Sequence, residues 1–179
     1  CRRNSKEGWC VLVSNLNEIS AMKLRIMNLL MMNADVMKIV ENTPTITMPN
    51  QSMLYKQIVP WKKKMDTQMD AQSIIAFEVS PGNAVNPAVR EYTLYVWVMV
   101  HDSLMKFDEE TGGYLGLPDR GTRLDVLADK VDYLLNGDEK LGFGELEFHG
   151  APLVDVSDYY HGRMLTYTIK GWNRHGEKI

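Results

Sequence analysis

The stretch 92–100 constrains this chain more than any other part of it. Tyr92, Leu94, Val96, Val98 and Val100 alternate with Thr93, Tyr95, Trp97 and Met99, which is the period of two that a strand requires. β-Branched and aromatic residues dominate, and neither Gly nor Pro interrupts the run. Both alternating sets are largely apolar, so both faces have to be covered and the strand belongs at the centre of a sheet. Its own chain can cover one face; the other is left for the chain or for a neighbour.

Helical periodicity occupies two regions. In 14–40, Leu16, Ile19, Leu24, Ile26, Leu29 and Leu30 recur at near-helical spacing, and Asn33 is placed to end one helix and cap a second over 34–40 with Val36, Ile39 and Val40 inward. Pro44 closes that segment. The second region, 122–135, has Thr122 as its cap and Asp125 three positions on, a variant of the capping box. Leu124, Leu127, Val131, Leu134 and Leu135 make its apolar stripe, and Asn136-Gly137 supplies a left-handed stop.

Further strands are expected at 73–79, closed by Pro81-Gly82-Asn83, and at 144–148, 152–156 and 163–172. Between helices and strands, 43–70 reads as a long loop with Tyr55, Ile58, Val59 and Trp61 as its apolar anchors. Another loop covers 107–119. The order of helices, strands, helix and strands, with hairpin-length connections, gives an α+β class. The expected architecture is a mostly antiparallel sheet with one long helix packed on it and a helical N-terminal segment. In domain terms this is one domain over 1–179: helical 1–42, loop 43–70, core 71–172 and tail 173–179.

A chain of 179 residues with 45% hydrophobic and 24% charged residues can bury a proper core. Its net charge of −3 argues against a general nucleic-acid binder, because phosphate neutralisation needs a concentrated positive field. No apolar run approaches the roughly 18 residues of a membrane span, and the N-terminus lacks a signal-peptide pattern. Cys1 and Cys10 both lie too near the start to staple a core; Cys1 leaves open a lipoprotein or an N-terminal nucleophile. The 12 methionines point to adaptable packing at interfaces.

The search for chemistry finds no catalytic, cofactor-binding or metal-binding set. His101, His149, His161 and His175 show no ligand spacing, and no CxxC accompanies them. His101-Asp102 resembles part of a metal-dependent phosphohydrolase motif, but the further His and Asp residues on flanking helices are missing. Gly112-Gly113 and Gly142-Phe143-Gly144 lack the context of a phosphate cradle, and no nucleophile elbow exists.

What remains points to contacts. Arg120 and Arg123 sit beside a helix start, against the helix dipole; they either pair with Asp119 and Asp125 or reach a neighbouring subunit's carboxylates. The run Lys62-Lys63-Lys64 is either a solvated loop face or a docking surface for an acidic neighbour. The residues expected at a subunit interface are Arg120, Arg123, Trp97, Tyr95, Trp61, Lys62, Lys63 and Lys64.

The covered strand, the run Arg-Gly-Thr-Arg-Leu-Asp-Val-Leu-Ala-Asp-Lys-Val-Asp-Tyr-Leu-Leu-Asn, and the closing strands 151–156 and 164–172 resemble the tail terminator and neck proteins of tailed bacteriophages. The resemblance spans about 74–172 and rests on element order. It implies a non-enzymatic structural virion protein that forms a hexameric ring capping the tail tube and joining it to the head connector. Related neck proteins of that fold complete the head instead. The implied partners are copies of the chain, the tail tube protein and the connector, with DNA passing through the lumen unbound. The implied place is the virion, after assembly in the host cytoplasm. The long N-terminal part and the lysine loop depart from that pattern.

Overall fold

A computed structural model describes residues 15–42, 53–65, 70–86, 89–106, 121–137, 141 and 144–172. Helices α1 (Asn15–Met31) and α2 (Ala34–Glu41) lead into a two-residue strand β1 (Ile58–Val59). The long strands β2 (Ser73–Ala84) and β3 (Val89–His101) follow, then a 3-10 turn (Asp102–Leu104) and helix α3 (Arg123–Leu135). The chain closes with β4 (Leu146–Gly150), β5 (Leu153–Ser157) and β6 (Tyr160–Trp172).

All six strands form one sheet in the order β1-β2-β3-β6-β4, with β5 also on β6. The β1–β2 pair is parallel and every other pair is antiparallel. β3 sits at the centre, between β2 and β6, as its two-sided pattern requires. The α+β class therefore holds. Three helices lie on one face rather than one, and the 17-residue α1 is the longest.

The main core lies between the helices and one face of the sheet. Ile75, Phe77 and Val79 of β2, alternate residues Tyr92–Val100 of β3, and Leu165, Tyr167 and Ile169 of β6 pack against Ile26, Leu30, Val36, Ile39, Leu127 and Val131. Each large side chain buried this way contributes about 1.5–3 kcal/mol. Methionines fill the gaps: Met22, Met27, Met31, Met37 and Met53 are buried there, so their role is core packing and not the interface adaptability their number suggested. On α1 the inward stripe runs through Met22, Ile26 and Leu30, which turns Leu24 out to solvent.

Several boundaries shift from the sequence reading. Part of the expected loop 43–70 is the strand β1, whose Ile58 and Val59 are fully buried beside Ile75 and Ala76. β2 runs straight through Pro81-Gly82 to Ala84 instead of stopping at Val79. Beyond Ala76 its outer edge has no strand partner among the described residues, and an open edge tolerates the missing proline N–H. Gly82 is needed there, because a Cβ would lie 2.9 Å from the Glu91 carbonyl. β6 starts at Tyr160 rather than at the expected 163 and so takes in His161, since the tight turn is Asp158-Tyr159.

The helix ends follow the capping chemistry. Asn33 Oδ1 accepts from Val36 N at 3.0 Å and starts α2. Thr122 Oγ1 accepts from Asp125 N at 3.3 Å and donates to Asp125 Oδ2 at 2.8 Å. Gly137 takes φ +71° just past α3.

Ile39 and Val40 in the last turn of α2 are buried, and each of the carbonyls 38–40 has a donor. Asn42, left-handed at φ 55°, donates its N–H to Lys38 O. Gln57 Nε2 donates to Val40 O at 3.1 Å and to Ser73 O at 3.2 Å. Arg123, only 1% exposed, donates from NH1 to Ile39 O at 3.1 Å, from NH2 to Asn42 Oδ1 at 2.6 Å and from Nε to Leu104 O at 2.6 Å. A cation at the negative end of a helix dipole is favourable, and the guanidinium fork reaches three acceptors at once. Arg123→Met keeps most of the bulk and removes those donors. It should lower stability by about 3 kcal/mol, read as a shift in the urea midpoint with unchanged slope.

α3 is also tied to the sheet through Asp125, whose carboxylate accepts from Arg163 Nε at 3.0 Å and NH2 at 2.8 Å. Partial burial pushes this carboxyl up, but hydrogen bonds from Thr122 and Arg163 and the Arg163 charge outweigh it, so its pKa lies below the ordinary carboxylate value. A depressed folded pKa gives stability that is present above the unfolded value of about 4 and is lost as the pH falls through the lower folded value. Acid unfolding of Asp125→Asn should therefore lose part of its pH dependence below about pH 4, measured as melting temperature against pH.

Candidate subunit interface

Among the described residues, the face of the sheet away from the helices carries a small second core. Val59, Ile74, Ala76, Met99 and Tyr160 are buried there, with Met65, Trp97 and Val156 packed against them. Tyr160 is anchored by its hydroxyl, which donates to Asp70 O at 2.8 Å. The strand alternation that sends Leu94, Val96 and Val98 inward places Thr93, Tyr95 and Trp97 on this outer face, where they stay partly exposed.

Six of the residues expected at an interface meet here or close by. Tyr95 and Trp97 stack at 5.9 Å between ring centroids. The segment after β1 carries Lys62 over the Trp97 ring, with Nζ 5.6 Å from the centroid. Trp61 stacks on Tyr55 at 5.8 Å, nearly parallel, and both rings are exposed, at 43% and 55%. Lys63 donates to Lys56 O at 2.7 Å, and desolvation lowers its pKa. Lys64 is exposed. The surface thus combines flat aromatic area at low entropic cost with ammonium groups, a composition suited to a protein contact with an acidic rim.

Arg123 does not belong to this surface. It lies inside the chain at the end of α2, so it cannot present its guanidinium to a neighbour. Arg120 and the loop 107–119 lie outside the described residues, as do Cys1 and Cys10.

His101 and Asp102 diverge. The His101 ring caps the 3-10 turn, with Nδ1 accepting from Ser103 N at 3.2 Å, and stacks on Tyr159 at 6.1 Å. Asp102 turns instead to His161 Nε2 at 2.5 Å, closing the end of the β3–β6 ladder. The pair holds strand ends together, and among the described residues no group of three His, Cys, Asp or Glu side chains could hold a metal.

The opposite end of the sheet has a shallow open groove of about 240 Å³ lined by Glu145, Glu147, Thr168 and Lys170. His149 Nε2 lies 2.7 Å from Thr168 Oγ1 beside it. Sequence reading missed this acidic edge; the alternation of Glu145 and Glu147 around buried Leu146 was the available signal.

The model of the YomW family matches residues 25–169, most of the chain. The chain belongs to the YomW family. No curated protein matches it. Among solved structures, this YomW-family chain is similar to a chain in "Virion of native gene transfer agent (GTA) particle", with a TM-score of 0.50 and 10% identity. That alignment covers 86% of this chain and 96% of the other. At this identity the likeness concerns the fold.

The Lys62–Trp97 contact is measurable in isolation. A double-mutant cycle with Lys62→Ala and Trp97→Ala should give a coupling energy of about 0.5 kcal/mol, from urea denaturation.

Proposed function

We propose that this chain is a structural subunit of a phage-type virion, and that it acts as a tail terminator. In this reading it forms a ring that caps the tail tube and joins it to the head connector. The observation that carries the proposal is the fold, shared over 96% of a chain from a gene transfer agent virion. Membership in YomW, a phage-associated family, supports it independently.

The physics of the surface agrees. A central strand that leaves Tyr95 and Trp97 partly exposed gains from being covered by a partner, since association is driven mainly by removing apolar area from water. A negative chain also suits a conduit for DNA, because phosphates are not held along its walls. The mechanism is assembly: each copy contributes one segment of a closed ring, and the ring presents a matching surface to the rings above and below.

The purified chain should form a ring-sized particle by light scattering and negative-stain microscopy and should bind isolated tail tubes. Trp97→Glu, on the outer face, should keep the circular dichroism of the parent and lower the assembled fraction about tenfold. A strictly monomeric chain that also fails to bind tail tubes overturns the proposal. Binding to DNA-filled heads in place of tubes assigns the chain to head completion.

A further inference from the structure

The two lateral edges of the sheet carry opposite charge. Residues 53–65, which contain β1, include Lys56, Lys62, Lys63 and Lys64 and no acidic residue. Residues 144–158, which contain β4 and β5, include Glu145, Glu147, Asp155 and Asp158 and neither Lys nor Arg. Lys56, Lys62, Lys64 and all four acids are exposed.

Topology keeps these edges apart. β1 is the first strand of the order β1-β2-β3-β6-β4, and β4 is the last. β5 joins the same side of β6 as β4, because β3 occupies the other side along the whole strand. With strands about 4.8 Å apart, four spacings separate β1 from β4 by roughly 19 Å, and Lys62, over Trp97 of β3, stands two spacings from β4, roughly 10 Å. Both exceed the screening length of about 8 Å at physiological ionic strength, so the edges cannot neutralise each other within one copy.

Each edge also offers apolar area beside its charge. Tyr55 and Trp61 stand exposed on the basic side, and Phe148 and Leu153 on the acidic side. Two charges near the acidic edge are already occupied or shared. Arg163 is committed to Asp125, and Lys170 faces the groove with Glu145 and Glu147.

We infer that copies of this chain join head to tail, with the β1 lysine edge of one copy seated on the β4–β5 acidic edge of the next. The inference rests on the ring reading above and assigns its contact surfaces. The occupant is a second copy because each surface finds its complement, in charge and in exposed apolar residues, on the far side of the same molecule. Such a contact is heterologous, and when its rotation closes it generates a ring and not a two-fold dimer. Lys56 and Trp61 then serve at the contact, while Lys62, over the Trp97 ring, lies with Tyr95 and Trp97 on the adjoining sheet face.

Charge reversal tests this on the full chain. Lys56→Glu with Lys64→Glu, and separately Glu145→Lys with Glu147→Lys, place like charges across the contact, and each double variant should lose about tenfold in assembled fraction. The chain carrying all four reversals restores complementarity and should assemble like the parent. Circular dichroism and melting temperature confirm folding, since all four positions are exposed. Loss in both doubles with recovery in the fourfold variant supports the inference. A parent that forms rings while the doubles assemble equally well overturns this edge assignment and leaves the ring reading intact. Loss in the doubles without recovery in the fourfold variant overturns the pairing of these two edges. A parent that never self-associates overturns both.

Discussion

A helix whose last turn is packed against other elements must find donors for its last carbonyls, and α2, with Ile39 and Val40 buried, meets that demand with residues from three separate parts of the chain. Asn42 turns left-handed to cover Lys38, Gln57 arrives from the β1 segment, and Arg123 arrives from the start of α3. An unpaired carbonyl there would cost about 1–3 kcal/mol. The same side chains therefore locate β1 against β2, through Gln57 and Ser73, and α3 against the turn after β3, through Arg123 and Leu104. One polar junction thus ties α2, the β1 segment and α3 together.

Around that junction the helices are held by tyrosine and acid pairs at the margin of the apolar core. The Tyr92 hydroxyl donates to Glu18 on α1 at 3.1 Å, and Tyr167 donates to Asp132 on α3 at 2.8 Å. Burial raises the Tyr167 pKa, and the Asp132 carboxylate beside it raises it further, so the phenol stays a donor at any physiological pH. These bonds orient helices that hydrophobic contact alone would leave free to slide, since dispersion and area burial carry little direction. With one face of the sheet thus committed, the described residues place on the opposite face the short segment around β1 and Met65, and Tyr95 and Trp97 stay partly exposed there.

Much of this fold was legible in the sequence because its signals are local. The alternation of 92–100, the Asn33 and Thr122 caps and the Gly137 stop each act within a few residues, and each stands where expected. The readings that failed depend on distant partners. β1 is too short to show a period, and it is a strand only because β2 pairs with it. β2 continues past Pro81 because its outer edge there is open, a property of topology. Leu24 and Met22 are nearly equivalent as apolar helix residues, and which one turns inward depends on how α1 lies on the sheet.

For the proposed contact surface the division is similar. The sequence by itself determined a central strand with two apolar faces, an aromatic and lysine-rich set at Tyr95, Trp97, Trp61 and 62–64, and an α+β order of elements. Periodicity and composition suffice for these, because they follow from side-chain alternation and from the charge each residue carries. Only the tertiary structure decided that Arg123 is an interior donor, that Lys62 lies over Trp97, and that β1 and the acidic β4 end the strand order on opposite sides. Those facts depend on strand order and on which helix end is buried. Both are set by long-range pairing and by the requirement that every buried polar group find a partner.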